Sequence, residues 1–201
     1  LMKNNILANL VGRFWSIFSN FLFIPLYIHY LGFESYSIIG FSLILVGIMA
    51  IFSGGVTSTL SREFARSDSS IEEKEKILKT LESTYFILIS FVIFLVFILS
   101  DSIAIKWLNL NNIKSSDVAL YLKIISFDIG FQMMIRFYLG GLFGLEKQIK
   151  ANILQAVWGL TRNCLVIIPL LYYPTLEVFF IWQMITNFIF VIIIKTLLTQ
   201  S

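Results

Sequence analysis

Arg13, Asp128, Gln132, Arg136, Gln155 and Arg162 are the residues with chemistry to offer, because each interrupts a long apolar run. Asp128, Gln132 and Arg136 fall at i, i+4 and i+8, one face of a helix. Asn152, Gln155, Gly159 and Arg162 make a second stripe of that kind, and Asn5, Asn9, Arg13, Ser16 and Asn20 a third. An arginine or aspartate at the centre of a lipid-embedded helix costs about 2.5–3.5 kcal/mol on insertion scales. Such residues therefore face a protein interior or a water-filled cavity. Three polar stripes predict a shared hydrated cavity, lined by Arg13, Arg136, Arg162, Gln132 and Gln155, with arginines suited to an anionic ligand. Snorkelling or a structural pair stays open for Arg13 and Arg136, which lie about 10 Å from their helix ends at 1.5 Å per residue. Asp128 is either an ion-pair partner of one of the arginines or a coupling site for protons or sodium.

Other chemistries lack their residues. The chain has one histidine, His29, and one cysteine, Cys164. A Cys/His metal cluster, a disulfide within the chain and a triad needing a second histidine are thereby excluded, and no metal or other cofactor is expected. A membrane enzyme would need clustered acids or histidines at a membrane face. The acids of the polar stretch 61–80 are spaced to pair with lysines along a helix and no second histidine accompanies them, so a non-enzyme is expected.

The elements that must hold these residues follow from composition. The 201 residues are 58% hydrophobic and 13% charged, with mean hydropathy +0.86. Soluble domains are typically about 45–50% apolar and about 25% charged. About 20 apolar residues cross a bilayer core. Runs over 6–30, 36–60, 81–99, 118–142, 153–173 and 178–198 predict an all-α, multi-pass transmembrane bundle of about six helices, a single domain over 1–201. Strict alternation of apolar and polar residues is absent, which excludes barrel strands. Pro25 and Pro169 are expected to kink their helices, and Gly47, Gly54, Gly55, Gly140 and Gly141 to let helices approach closely or bend.

The polar stretch 61–80 reads as a loop with a helix of its own, opened by a capping box at Ser70-Ile71-Glu72-Glu73 and supported by Glu72–Lys76 and Glu75–Lys79 pairs. The net charge of +3 comes from basic residues between apolar runs, so they read as topology determinants and not as a nucleic-acid surface. Lys3, Arg62, Arg66, Lys74, Lys76, Lys79, Lys147, Lys150 and Lys195 would share one side, against Lys106, Lys114 and Lys123 on the other. Both chain ends are therefore expected in the cytoplasm.

Three stretches carry a family resemblance. They are Phe23-Ile24-Pro25-Leu26-Tyr27-Ile28-His29-Tyr30-Leu31-Gly32 with Glu34, Tyr36 and Gly40; Thr57-Ser58-Thr59-Leu60-Ser61-Arg62-Glu63-Phe64-Ala65-Arg66; and Gly140-Gly141-Leu142-Phe143-Gly144-Leu145-Glu146-Lys147-Gln148 with Asn152 and Arg162-Asn163. In order and spacing they resemble the polysaccharide-export family, the O-antigen and repeat-unit flippases of the multidrug/oligosaccharidyl-lipid/polysaccharide superfamily. The resemblance implies one lobe, the N-terminal one, of a two-lobed transporter in the bacterial inner membrane. It implies flipping of an undecaprenyl-diphosphate-linked oligosaccharide, with membrane lipids around it and the other lobe or a second copy completing the cavity. The residues leave open a cation-coupled drug exporter of the same superfamily, and an inactive fragment.

Overall fold

The computed structural model describes residues 23–68, 70–108, 110 and 113–200. The part of the first apolar run before Phe23, with Arg13, lies outside them. The described residues are helical throughout, with no strand among them. A first helix, α1, is described over residues 23–31. Then follow α2 (Phe33–Ala65), α3 (Ile71–Ile103), α4 (Ser115–Gly144), α5 (Gln148–Asn163), α6 (Ile167–Tyr172) and α7 (Leu176–Thr199). Among the described residues, five helical stretches are long and apolar enough to cross a membrane, α5 and α6 counting together as one. The expected all-α transmembrane bundle is the observed fold.

Gly32 alone separates α1 from α2. Its φ of 84° is one that side-chain-bearing residues rarely adopt, so the Leu-Gly sequence sets this reversal. At the next junction the expected loop contracts. α2 runs to Ala65 and α3 begins at Ile71, so helix covers most of 61–80. The capping box forms: Glu73 N–H donates to Ser70 Oγ, and Ser70 N–H donates to Glu73 Oε2 at 2.8 Å. Lys74 Nζ donates to the Phe64 carbonyl at 3.0 Å and so satisfies an end of α2. The Glu72–Lys76 and Glu75–Lys79 pairs do not close to ion-pair distance. α3 widens into a π-helical turn over Ala104–Leu108, leaving Trp107 exposed.

α4 is the axis of the bundle, packed against α2, α3 and α7, and it carries most of the fully buried side chains. Its glycines explain how three helices fit around it. A Cβ on Gly144 would stand 2.4 Å from the Ser61 carbonyl oxygen, and one on Gly140 2.5 Å from Thr57 Cγ2, so α2 crosses nearly backbone to backbone. On α2 itself no described residue lies within 4 Å of the Cβ position of Gly47, Gly54 or Gly55, so the close approach uses the glycines of α4. Outward faces carry Ile44, Ile51, Phe52, Phe86, Ile87, Phe91 and Phe94, an apolar surface of the sort lipid covers.

Candidate functional site

The middle of the bundle holds a polar network from three helices. α4 supplies Asp128 and Gln132, one turn apart. α5 supplies Arg162 and Trp158, and α7 supplies Gln183 and Asn187. Asp128 Oδ2 accepts from Gln132 Nε2 at 2.8 Å and faces Arg162 Nη2 at 3.6 Å. Asp128 Oδ1 accepts from Asn187 Nδ2. Arg162 Nη1 donates to Gln132 Oε1 at 3.1 Å, and its Nε donates to Gln183 Oε1. Trp158 Nε1 donates to Asn187 Oδ1 at 2.6 Å, and the Arg162 guanidinium lies 5.9 Å from the Trp158 ring centre. Asp128, Gln132, Gln183 and Asn187 are all buried, at 3% exposure or less. The network answers the cost of charge in lipid, since every charged atom has an opposite charge or an amide within reach.

The chain breaks a helix to build this site. α5 stops at Asn163 and α6 starts at Ile167, with a turn at 164–166 between. Pro169 is the cause: it has no N–H, and its ring clashes with the carbonyl four residues back, that of Leu165. Leu165 N–H then reaches back to Leu160 O at 3.3 Å, and Ile167 N–H bonds Cys164 O at 3.2 Å. The carbonyls of Thr161, Arg162 and Asn163 lose their helical partners. Side chains replace them one by one. Trp182 Nε1 donates to Thr161 O at 3.1 Å, Gln183 Nε2 to Arg162 O at 3.1 Å, and Tyr27 Oη to Asn163 O at 2.8 Å. Irregular backbone at membrane depth is tolerated where protein satisfies it in this way. Arg162 also sits in the last turn of α5, where the helix dipole favours a cation.

Beside the network lies a cavity of about 70 Å³, enough for a few waters, lined in part by Tyr27, Tyr36, Ser42, Asp128, Arg162 and Gln183. Arg136 stands apart from the network. It is half-buried, two turns along α4 from Asp128, and pairs with no carboxylate among the described residues. It lies in the field of Arg162 and of the Tyr85 hydroxyl. Tyr85 in turn faces Ser53 and Thr57, and Thr57 Oγ1 is a buried atom with no hydrogen-bond partner. Gln155 is half-buried on the Arg162 face of α5 and does not bond the network. Arg13 lies outside the described residues. The structure thus gathers Asp128, Gln132 and Arg162 from the sequence-predicted set and leaves Arg136 and Gln155 beside them.

Sequence reasoning passed over Gln183, Asn187, Trp158 and Tyr27. A signal existed for two of them: Gln183 and Asn187 stand at i, i+4 in an otherwise apolar run, a fourth polar stripe without a charge to advertise it. Also overlooked was Glu82, which joins three helices nearer the end formed by residues 66–70. Glu82 Oε1 accepts from Tyr138 Oη at 2.5 Å and pairs with Lys195 Nζ at 2.5 Å. Among the described residues no group of three His, Cys, Asp or Glu side chains converges on one point.

No family model matches the chain, and no solved structure matches it. One curated relative does: a protein of Shigella flexneri named "Putative O-antigen transporter", 28% identical over 142 residues. The chain is similar to an O-antigen transporter. The match covers 71% of this chain and 33% of the relative, so the chain spans about a third of that relative's length. The resemblance read from the three sequence stretches is thereby borne out. The relative carries a transporter's name, which agrees with the expectation of a non-enzyme.

Proposed function

We propose that this chain takes part in moving an anionic lipid-linked glycan, of the undecaprenyl-diphosphate-oligosaccharide kind, between the leaflets of the bacterial inner membrane. The observation that carries the reading is a mid-bundle arginine network beside a water-sized cavity, in a chain similar to an O-antigen transporter. Each nitrogen of Arg162 already has a partner, in Gln183, Gln132 and Asp128, so it is assigned to shaping the cavity wall. Arg136, with no carboxylate partner among the described residues, is the cation left for the diphosphate, and the Tyr85 hydroxyl stands near it. Guanidinium suits this task because its planar fork meets phosphate oxygens in pairs. The sugars would share the hydrated interior while the polyprenyl tail stays among membrane lipids.

The cavity holds a few waters within this group of helices, and the cargo needs more room than that. Opening would follow the rocking of one helical group against another around a site at mid-membrane depth. The other wall of the cavity is assigned to a second lobe or a second copy of the chain. The reading places both chain ends in the cytoplasm.

Complementation tests it. A strain lacking its repeat-unit flippase receives this chain, alone or together with a chain covering the rest of the relative's length. Restored surface glycan in either case supports the reading. Well-inserted protein that restores none with any of several glycan repeat units, but exports a cationic dye, replaces it with a drug exporter.

A further inference from the structure

The Asp128 carboxyl is surrounded by two amides whose orientation is not free. Asn187 lies between Asp128 and the Trp158 indole, and Gln132 lies between Asp128 and the Arg162 guanidinium. An indole N–H and a guanidinium can only donate. Asn187 must therefore turn its oxygen to Trp158, and Gln132 its oxygen to Arg162. Each amide then has only its NH2 to offer Asp128. Both carboxylate oxygens receive N–H donors, Oδ1 from Asn187 and Oδ2 from Gln132, with Arg162 Nη2 also facing Oδ2. A proton on Oδ2 would point a donor at Gln132 or Arg162, and the N–H bonds to both oxygens favour the charged form they are made to. The usual escape, flipping the amide, is blocked at Asn187 by Trp158 and at Gln132 by Arg162.

We infer that Trp158 and Asn187 are positioning residues that hold Asp128 as a fixed carboxylate, so that Asp128 anchors the Arg162 guanidinium and carries no transported proton. Of the two roles the sequence leaves open for Asp128, the geometry points to the anchor. The other titratable or charged groups facing it fit this. Arg162 on α5 is the cation that faces it, at 3.6 Å, and Arg136 stands two turns away along α4. Tyr27 on α1 and Tyr36 on α2 line the neighbouring cavity, and α7 presents only the amides Gln183 and Asn187. The relation is directional: the indole N–H fixes the Asn187 amide, the amide fixes the carboxylate, and the carboxylate fixes the guanidinium.

The test needs no transport assay, so it stands apart from the flipping reading. The readouts are the melting temperature of the purified chain in lipid nanodiscs and the infrared band of a protonated carboxyl. Asp128→Asn puts an NH2 against that of Asn187 or of Gln132 and lowers the melting temperature by several degrees. Trp158→Phe keeps the ring beside Arg162 but releases the Asn187 amide to flip, and costs less. The double variant Asp128→Asn, Trp158→Phe then melts above Asp128→Asn alone, because the freed Asn187 can accept from the new amide. In the infrared, the wild-type protein shows no Asp128 carboxyl band as the buffer is acidified, and Trp158→Phe gains one that Trp158→Phe with Asp128→Asn lacks. A double variant whose losses merely add, or a wild-type carboxyl band that vanishes in Asp128→Asn, overturns the inference. Should Asp128→Asn not fold, the wild-type and Trp158→Phe spectra decide alone, with Glu82→Gln and Glu177→Gln as controls for the other span-region acids.

Discussion

Arg136 and Arg162, the two described arginines within the spans, are set up in opposite ways. Arg162 is bound on every nitrogen, to Gln183, Gln132 and Asp128. A lysine there keeps the charge and loses the fork, leaving Gln132 or Gln183 without its donor. Breaking such a buried network costs about 1–3 kcal/mol per orphaned polar group. Arg162→Lys should therefore lower the melting temperature and glycan export together, as thermal unfolding and a surface-glycan assay would read. Arg136 has no carboxylate to lose. Arg136→Gln should leave melting unchanged or slightly raised, while export falls if this guanidinium meets the cargo's diphosphate. Equal export by wild type and variant would remove Arg136 from the cavity assignment. The exposed end of the molecule offers a contrast. A hydrogen bond from Arg66 is the main reason Asp68 is held below its ordinary value. A depressed folded pKa gives stability that is present above the unfolded value, about 3.9, and is lost as pH falls through the folded one. Both groups are solvent-exposed, so that pair contributes little. Asp68→Asn should melt with the wild type at neutral pH.

The elements owe their stability to where glycine meets backbone. Gly144 lies against the Ser61 carbonyl and Cα, atoms that cannot rotate away. Gly144→Ala should push α2 from α4 and cost about 1–3 kcal/mol, the usual range for overpacking. Gly47→Ala meets nothing and should be neutral or stabilising, by up to about 1 kcal/mol for replacing glycine within a helix. Paired melting curves in detergent or nanodiscs check both, and equal losses would mean the α2–α4 crossing is looser than described. The same elements show how far sequence reaches. Hydropathy located the apolar runs because lipid selects apolar side chains. It misplaced the helix ends around 61–80, because hydrogen bonding, through the Ser70 box and Lys74, carries a helix well past the last apolar residue. Periodicity put Asp128, Gln132 and Arg136 on one face of a helix but could not say which face meets α5. The α5 break, the turn of Arg162 toward Asp128, and the use of α7 amides are all consequences of packing, and only the packed bundle reveals them.

At the scale of the whole molecule, contacts decide which loops share an end. Gly144 against Ser61 and Phe64, Leu198 against Gly141, and Lys150 Nζ on the Leu197 carbonyl gather the 66–70 turn, the 145–147 turn and the end of α7 together. Lys123 paired with Asp101, and Phe41 packed edge-on to Trp107, mark the opposite end, with the 173–175 turn. The first end holds Arg62, Arg66, Lys74, Lys76, Lys79, Lys147, Lys150 and Lys195; the second holds Lys106, Lys114 and Lys123. Short loops rich in lysine and arginine stay on the cytoplasmic side during insertion. The bundle therefore has a predicted orientation, and the single native cysteine makes it easy to test. In a Cys164→Ser background, Asp68→Cys should react with a membrane-impermeant maleimide only after the cells are permeabilised, whereas Tyr173→Cys should react in intact spheroplasts. The reverse pattern would invert the bundle and, with it, the leaflet nearer to Arg136. Labelling of both positions from one side would contradict the helix pairing itself, since α5 and α6 would no longer cross.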